Sequence, residues 1–326
     1  MKIQQKVAFI TGVTGQDGSY LAEYLLELGY KVVGMKRRTS IISTSRIDEI
    51  YSNPNFILEY GNMSDSSSLW NLLNKHKPDE IYNLAAQSHV KASFEVSEET
   101  LDVVGMGFLK LLNAAKEIVP KARIYQASSS EMFGDNTECP QNENTKFMPA
   151  SPYACAKVFA HNLANNYRTG YGMHISCGIL ENHESPRRGE TFVTRKITMA
   201  AARIKLGLQE KLELGNLYAK RDWGYAKEYV VAMHKMLQQE NPEDYVIATG
   251  ESHSVEEFAK TVFEYAELDL NKYLVINPRL FRVHEVPFLC GDYSKAKAKL
   301  GWEPKIRFKE LAKIMYDADL KLNSKS

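Results

Sequence analysis

The fold is decided by a stretch near the start of the chain, Val7-Ala8-Phe9-Ile10-Thr11-Gly12-Val13-Thr14-Gly15-Gln16-Asp17-Gly18. Its leading apolar residues predict a short buried strand, and Leu21, Leu25 and Leu28 then recur at helical spacing. The glycines between them are spaced G-x-x-G-x-x-G, which allows a tight turn and lets a pyrophosphate approach the backbone at a helix N-terminus. A purely structural glycine turn is the alternative, but the position between the first strand and the first helix favours dinucleotide binding.

Outward from this turn, short apolar runs alternate with longer stretches of helical periodicity. Strands are predicted at 7–10, 31–35, 56–60, 80–85, 123–127, 174–180 and 245–248, and helices at 19–28, 66–75, 100–119 and 152–171, with Ser66 as a cap. This alternation is typical of an α/β fold with a Rossmann-type doubly wound parallel sheet. After Leu180 the pattern loosens, and we expect a smaller, discontinuous lobe. The expected lobes are 1–180 with a return segment at about 216–249, and 181–215 with 250–326.

The composition excludes several classes of protein. With 41 Lys+Arg against 40 Asp+Glu, the formal net charge of +1 gives no bulk attraction to nucleic acid or to an anionic membrane. The four cysteines form no C-x-x-C pair, no histidines have metal-ligand spacing, and His76, His161 and His234 are predicted to be ordinary surface or helix residues. No segment approaches the roughly 18 apolar residues of a membrane span. We therefore expect a soluble cytoplasmic protein without a metal site.

A basic cluster follows the second predicted strand. Enzymes that bind NAD typically place an acidic residue about twenty positions after the glycine turn, where it binds the ribose 2′-hydroxyl. This chain instead has Lys36-Arg37-Arg38. Because an arginine suits a 2′-phosphate through its charge and its forked donors, the cluster favours NADP over NAD. The alternative is a solvated basic corner.

A second motif carries candidate chemistry. Tyr153 and Lys157 form Y-x-x-x-K within the predicted helix 152–171, so their side chains share one face. A neighbouring ammonium group and an oxidised nicotinamide ring both lower the pKa of a phenol from its usual value of about 10, which makes the phenol a usable base. Together with the glycine turn and the strand at 123–127, this pair points to a short-chain dehydrogenase/reductase.

Glu131 separates two types of reaction. It follows the strand at 123–127, in the run Ser128-Ser129-Ser130-Glu131. A sugar 4-epimerase only removes and returns one hydride and needs no acid at this place. A 4,6-dehydratase must take a proton from C5 and protonate the departing C6 oxygen, and a carboxyl group can do both. An exposed loop carboxylate is the alternative for Glu131.

Motifs over nearly the whole chain resemble one family. They are the run Asn182-His183-Glu184-Ser185-Pro186-Arg187-Arg188-Gly189 and the segments 82–90, 192–196, 214–217, 220–224 and 248–251. These segments resemble GDP-mannose 4,6-dehydratases, members of the extended short-chain dehydrogenase/reductases. The resemblance implies NADP-dependent dehydration of a GDP-linked sugar, GDP-mannose or GDP-manno-heptose, to the 4-keto-6-deoxy sugar, in a homodimer or homotetramer. A GDP-sugar epimerase or 4-ketoreductase on the same scaffold is the alternative.

The resemblance also implies roles for individual residues. The catalytic group is Ser129, Glu131, Tyr153 and Lys157. The positions that match NADP contacts are Gly12, Gly15, Gln16, Asp17, Gly18, Arg37, Asn62, Met63, Leu84, Ser88, Tyr153, Lys157, His183 and Arg188. The positions that match GDP-sugar contacts are Ser88, Ser129, Glu131, Asn182, Lys196, Arg221, Arg282 and Glu285. Independently of the family, Arg187, Arg188, Lys196 and Arg221 suggest diphosphate recognition.

The chain departs from the family pattern at several positions. Ser129 stands for the usual threonine, Asn62 for an aspartate and Glu99 for a tyrosine. Glu181 replaces an apolar residue, and Ala150 replaces an arginine. Because these changes cluster around cofactor and substrate, the sequence leaves the sugar open between a hexose and a heptose.

Overall fold

The computed structural model describes residues 5–324, and the twelve strands among them fall into three sheets. The strands are β1 (Val7–Thr11), β2 (Lys31–Lys36), β3 (Phe56–Tyr60), β4 (Glu80–Asn83), β5 (Arg123–Ser129), β6 (Ile175–Leu180), β7 (Asn182–Glu184), β8 (Leu212–Leu214), β9 (Lys220–Tyr225), β10 (Tyr245–Ile247), β11 (Ser252–Ser254) and β12 (Leu274–Ile276). The largest sheet has seven parallel strands in the order β10-β6-β5-β4-β1-β2-β3. The chain order reverses between β1 and β4, where ligands bind in open α/β sheets.

Helices cover both faces of this sheet. In chain order the α-helices are α1 (Gln16–Glu27), α2 (Ser66–His76), α3 (Val90–Glu95), α4 (Ser97–Leu101), α5 (Gly107–Ile118), α6 (Pro152–Tyr171), α7 (Val193–Lys205), α8 (Ala226–Gln238), α9 (Val255–Tyr265), α10 (Leu270–Tyr273), α11 (Ser294–Leu300) and α12 (Phe308–Asn323). One core lies between the sheet and helices α1 and α8, and another between the sheet and helices α2, α5 and α6. Every residue of β4 and β6 is buried, as expected for parallel strands that are covered on both faces.

The remaining strands form two small sheets beside the large one. Strands β7, β9 and β11 form a three-stranded sheet, and β8 pairs with β12. Helices α7, α9 and α12 pack on them around the rings of Trp223, Phe258 and Phe308, with 5.3 Å between the ring centroids of Trp223 and Phe258. This third core is separate from the two that flank the large sheet, so the small sheets have apolar support of their own.

The predicted α/β fold with a doubly wound parallel sheet is confirmed, and the differences lie at the ends of elements. Helix α1 begins at Gln16, three residues before the predicted start, so Gln16 and Asp17 lie in its first turn. The prediction of Ser66 as a cap is wrong: the Asp65 side chain accepts a hydrogen bond from the Ser67 amide at 2.9 Å. The predicted helix 100–119 is divided by a π-helical turn at Asp102–Met106.

The described residues leave out a few positions at each end of the chain. Residues 1–4 and 325–326, which belong to the predicted lobes, lie outside the described residues. Within 5–324, none of the helices combines the length and the apolar character needed to cross a bilayer.

Candidate active site

A cleft of about 640 Å³ lies at the carboxyl ends of the parallel strands. All of the residues that the sequence assigned to catalysis, cofactor or sugar line it. They are Gly12, Gly15, Gln16, Asp17, Gly18, Arg37, Asn62, Met63, Leu84, Ser88, Ser129, Glu131, Tyr153, Lys157, Asn182, His183, Arg188, Lys196, Arg221, Arg282 and Glu285. Residues as far apart in the chain as Gly12 and Glu285 thus share one cavity, partly because the strand order brings the ends of β1, β4, β5 and β6 together.

The glycine turn forms one end of the cleft with no room for side chains. Gly12 has a φ of +71°, and a Cβ placed on it would lie 2.9 Å from the Ala85 Cα. A Cβ on Gly18 would lie 2.4 Å from the Gly12 carbonyl oxygen. Gly15 is the N-cap of α1 and brings no side chain to satisfy the first amides of that helix. The turn therefore leaves backbone donors open to the cleft, which fits a pyrophosphate.

Asp17 and His183 join the glycine turn to strand β7. The His183 Nε2 lies 2.8 Å from the Asp17 Oδ2, and the Gln16 amide donates to both the Asp17 carboxylate and the His183 carbonyl at 3.0 Å. Burial opposes charge on the imidazole, but the Asp17 carboxylate outweighs it and raises the pKa of His183. Burial likewise opposes charge on Asp17, whereas the His183 ring lowers its pKa below the ordinary value. The predicted cofactor residues of α1 and β7 are therefore held together as an ion pair.

Helix α6 brings the tyrosine and the lysine to the end of β5. The Ser151 side chain caps the helix by accepting from the Ala154 amide at 3.1 Å, and Pro152 occupies its first turn. The Lys157 Nζ donates to the Ala127 carbonyl at 2.6 Å and lies 5.6 Å from the centroid of the Tyr153 ring. The pair is therefore anchored to the strand whose end carries the other catalytic candidates.

Burial perturbs both members of this pair. Desolvation lowers the pKa of Lys157 to about 8, so its ammonium form is present at neutral pH and is lost as the pH rises through that value. Burial raises the pKa of Tyr153 to about 12, although a hydrogen bond with the Ser129 side chain acts in the opposite direction. Such opposed perturbations in one cleft are typical of functional sites.

Glu131 lies in a short 3₁₀ turn directly after β5. The Ser129 Oγ accepts a hydrogen bond from the Glu131 amide at 3.2 Å, and the Glu131 side chain is only 8% exposed. The alternative of an exposed loop carboxylate is therefore wrong. Its Oε1 lies 3.6 Å from the Arg282 Nη1, and that guanidinium lies 3.2 Å from the Glu285 Oε1.

Further predicted sugar-binding residues contact the charged group formed by Glu131, Arg282 and Glu285. The Arg221 Nη2 lies 2.8 Å from the Glu285 Oε1, and the Arg221 Nη1 donates to the Val286 carbonyl at 2.8 Å. Lys196, on α7, lies on the same cleft, and burial lowers its pKa. Two arginines and a lysine that share one wall are suited to a diphosphate.

The structure separates two arginines that the sequence had grouped. The Arg188 guanidinium lies 3.7 Å from the centroid of the Phe192 ring and 3.1 Å from the Glu184 Oε2, on the cleft wall. Arg187 instead packs on α1, 2.6 Å from the Glu23 Oε1, and is not among the residues that line the cleft. The suggestion that Arg187 takes part in diphosphate recognition is therefore wrong: it ties β7 to α1.

Two buried carboxyl groups were not anticipated as a pair. Glu181 is fully buried, and within residues 5–324 neither of its oxygens has a hydrogen-bond partner. Burial and the neighbouring Asp222 raise its pKa well above the ordinary range. Asp222 accepts hydrogen bonds from the amides of Thr249 and Gly250 at 2.9 Å, yet burial raises its pKa to about 6. The departure of Glu181 from the family pattern was visible in the sequence, but its contact with Asp222 was not.

Two further residues predicted to bind the cofactor, Arg37 and Asn62, have partners within the protein. The Arg37 Nη1 lies 3.6 Å from the Glu99 Oε1, and both side chains are more than half exposed, so the guanidinium is free to exchange partners. Asn62 accepts a hydrogen bond from the Ser64 amide at 3.2 Å. Within the described part of the chain, no group of His, Cys, Asp and Glu side chains is arranged to hold a metal ion.

Solved structures with the same fold include nucleotide-sugar enzymes. A UDP-glucose 4-epimerase from Thermotoga maritima, solved with UDP-glucose, superposes with a TM-score of 0.86 at 25% identity, covering 98% of this chain and 100% of the other. A dTDP-glucose 4,6-dehydratase from Bacillus anthracis, solved with NAD, superposes with a TM-score of 0.86 at 21% identity, covering 98% of each chain. The second likeness shows the fold alone.

Sequence relatives are much closer. A family model described as GDP-mannose 4,6 dehydratase matches residues 9–315. GDP-mannose 4,6 dehydratase 1 from Arabidopsis thaliana is 54% identical, over 98% of this chain and 91% of the relative. The human GDP-mannose 4,6 dehydratase is 48% identical, over 98% of this chain and 92% of the relative. With the glycine turn, the Tyr153–Lys157 pair and Glu131 gathered in one cleft, the chain belongs to the GDP-mannose 4,6-dehydratase family.

Proposed function

We propose that this chain is a hydro-lyase that converts GDP-mannose to GDP-4-keto-6-deoxymannose with NADP as its cofactor. The observation that carries this proposal is the buried Glu131, which shares a cleft with Tyr153 and Lys157. The relatives that are about half identical are named as dehydratases of this kind. A 4-epimerase or 4-ketoreductase is not favoured because neither reaction requires a carboxyl group at this place.

Tyr153 acts as the base at the C4 hydroxyl of the sugar. Its phenolate accepts the proton from O4, and the Lys157 ammonium stabilises that phenolate. Ser129, which interacts with the phenol, shares the hydrogen bond to O4. Ser129 lacks the extra methyl group of the usual threonine but keeps the donor and the acceptor that this role requires.

Glu131 moves a proton from C5 of the sugar to the hydroxyl oxygen on C6. A ketone at C4 acidifies the hydrogen at C5, so a carboxylate can remove it. The resulting carboxylic acid then protonates the C6 hydroxyl, which leaves as water. When hydride is returned to C6, C5 takes up one proton, and the proton that Tyr153 accepted from O4 balances the reaction. The Arg282 Nη1 lies 3.6 Å from the Glu131 Oε1 and so places a positive charge beside this carboxyl group.

The glycine turn fits a dinucleotide, since its open helix amides and the absence of Cβ atoms form a cradle for a pyrophosphate. When bound, the nicotinamide ring supplies a reversible acceptor for the hydride that leaves C4 and is returned to C6. Gln16, Asp17, His183 and Arg188 hold the dinucleotide from the side of β7. Arg37 is the residue placed to bind a 2′-phosphate, which supports NADP over NAD.

The opposite end of the cleft suits the GDP-sugar. Arg221, Arg282 and Lys196 provide cations for the diphosphate, and Asn182 and Glu285 provide polar groups beside them. We assign NADP to the lobe 1–180 with its return segment at about 216–249, and the GDP-sugar to 181–215 with 250–326. The small sheets with their own core support a separate lobe for the sugar. Strand β9, which pairs with both β7 and β11, falls within 216–249 but packs with that lobe.

We also propose a cytoplasmic homo-oligomer, a dimer or a tetramer. Leu101, Met106 and Phe159 expose 42%, 43% and 43% of their surface on the helices that cover one face of the sheet. Phe159 packs beside Gly105, so the exposed side chains of the π-turn and α6 are neighbours. A second copy of the chain would cover this apolar group.

An assay of products tests the proposal. Purified protein is incubated with NADP⁺ or NAD⁺ and with either GDP-mannose or GDP-manno-heptose, and the nucleotide sugar is analysed by mass spectrometry. We expect a product that has lost one water, with GDP-mannose as the better substrate and NADP⁺ as the better cofactor. No loss of water from either sugar, in protein shown to bind NADP⁺, would contradict the proposal.

A further inference from the structure

Below the catalytic pair, a chain of buried polar side chains joins β5, α6 and β10. The Ser128 Oγ lies 2.9 Å from the His161 Nδ1, and the His161 Nε2 lies 3.6 Å from the Asp244 Oδ2. Ser128 and His161 are each only 4% exposed. Asp244 is in turn ion-paired with Arg168, whose Nε donates to the Ile175 carbonyl at 2.7 Å.

His161 lies on the same face of α6 as the catalytic residues and contacts the same strand. Tyr153, Lys157 and His161 follow one another at intervals of four along α6, so they share one face of the helix. Their partners are consecutive residues of β5: the Ser129 side chain for Tyr153, the Ala127 carbonyl for Lys157 and the Ser128 side chain for His161.

The surroundings of His161 fix its protonation. Burial lowers the pKa of the ring, although Asp244 acts in the opposite direction, so the ring is neutral at pH 7. The Asp244 carboxylate beside Nε2 favours the tautomer with its proton there, which leaves Nδ1 to accept from the Ser128 hydroxyl. The titratable or charged groups around this chain are Asp244, Arg168 and Cys177, and the Phe147 ring packs edge-on at 5.1 Å.

We propose that His161 is a positioning residue which, through Ser128 and Asp244, fixes the rotation of α6 against β5 and thereby the placement of the Tyr153 phenol and the Lys157 ammonium. This inference rests on the proposed function for the identity of the reaction. The physical reason is geometric. Lys157 and Arg168 each join α6 to one backbone carbonyl, of β5 and β6 respectively. The hydrogen bond between His161 and Ser128 adds a contact to β5 one turn from Lys157, which limits rotation of the helix beside the catalytic pair. A small rotation displaces the phenol, and a displacement of about 1 Å at a reacting group costs on the order of 100-fold in rate.

The test uses the full-length protein with bound NADP⁺ and the variant His161→Phe. Phenylalanine keeps an aromatic ring against Phe147 but removes the hydrogen bond with Ser128 and the polar contact with Asp244. We expect kcat for dehydration to fall about 10- to 100-fold while KM changes by less than about twofold, because the substrate-binding residues are untouched. Ser128→Ala is the second variant. It removes one hydroxyl group, and its kcat and KM decide the test if His161→Phe does not fold.

His234→Phe is the matched control. His234 is a helical, half-buried histidine that lies 3.2 Å from the Tyr30 hydroxyl, on α8 and away from the catalytic residues. We expect it to leave kcat within about twofold of the wild type. Equal losses in His161→Phe and His234→Phe would indicate general destabilisation and would overturn the proposal. An unchanged kcat in folded His161→Phe or Ser128→Ala would also overturn it.

A readout independent of turnover separates this inference from the proposed function. The tyrosinate absorbance of Tyr153 is isolated by subtracting the titration of Tyr153→Phe from that of the wild type, and likewise in the His161→Phe background. We expect the phenol pKa to rise in His161→Phe, since a displaced phenol loses the Ser129 hydrogen bond that lowers its pKa. No shift would overturn the positioning role even if the wild type proves to act on another sugar, whereas wild-type protein that dehydrates no GDP-sugar would contradict only the proposed function.

Discussion

Glu131 is the residue on which the type of reaction depends. Replacing it with glutamine keeps its shape but removes its ability to exchange a proton. We expect Glu131→Gln to lower the rate of water loss by about 10²- to 10⁴-fold while oxidation at C4 continues, so that reduced nicotinamide accumulates. Absorbance of reduced nicotinamide and the mass of the nucleotide sugar measure the two steps separately.

The control for this variant is Glu138→Gln, an exposed carboxylate of the loop that follows. We expect turnover of Glu138→Gln to match that of the wild type. If Glu131→Gln also released dehydrated product at the wild-type rate, the carboxyl group would have no part in the elimination.

Lys157 sets the alkaline limit of activity. Burial lowers its pKa to about 8, so the ammonium form that stabilises the phenolate is present below that pH and is lost above it. We expect kcat/KM to decline as the pH rises through about 8. In Lys157→Arg the cation persists to a far higher pH, so whatever activity remains in that variant loses this decline. A pH profile of both proteins measures the effect, and an identical decline in both would assign it to another group.

Single residues also show the limit of prediction from sequence. Tyr153, Lys157 and Glu131 belong to motifs, because their chemistry depends on residue type and local spacing. The contact between Glu181 and Asp222, and that between His161 and Ser128, join residues that are distant in the chain and have no pattern of their own. His161 was expected to be an ordinary helix residue, and it is helical, but it is buried against two polar partners.

Among the elements, the glycine turn can be tested by comparing two glycines that differ in their surroundings. Gly12 and Gly29 both have positive φ, +71° and +84°, but only Gly12 is crowded, since nothing lies within 4 Å of a Cβ on Gly29. We expect Gly12→Ala to lose NADP⁺ affinity by at least about tenfold, because the backbone must shift away from Ala85. Gly29→Ala bears only the backbone strain, about 1–2 kcal/mol, and keeps its affinity. Isothermal titration calorimetry measures the NADP⁺ affinity of both variants. Equal affinities would contradict the proposal that the glycine turn holds the pyrophosphate.

Periodicity and turn residues were sufficient to predict most of the elements. The apolar runs of β1 to β6 and the capped helix α6 were visible because each follows a local rule. The π-turn that divides the predicted helix 100–119 was not, since no residue type marks it. The beginning of α1 was placed three residues late because its first turn consists of the polar and glycine residues that face the cleft.

For the whole molecule, a net charge of +1 is compatible with two anionic ligands because the cations are local. Arg37, Arg221, Arg282 and Lys196 all line the cleft. Several of these cations are already paired with carboxylates of the protein. An anionic ligand that binds here would therefore replace a carboxylate as the partner of the cation.

The proposed assembly of the chain uses the exposed apolar group of the π-turn and α6. We expect Met106→Lys to shift the protein toward monomers in sedimentation velocity, since an ammonium group would be buried at the contact. Leu208→Lys is the control, because Leu208 is 63% exposed and lies after α7, outside this group. A monomeric wild type, or no difference between the two variants, would contradict the assignment of this surface.

The central claim is that one cleft removes hydride from C4 and returns it to C6 of the same sugar. GDP-mannose deuterated at C4 tests this most directly, with the position of the label in the product read by NMR and mass spectrometry. We expect a 4-keto-6-deoxy sugar that has lost one water and carries the deuterium at C6. Deuterium returned to C4 of an intact hexose, without loss of water, would contradict it.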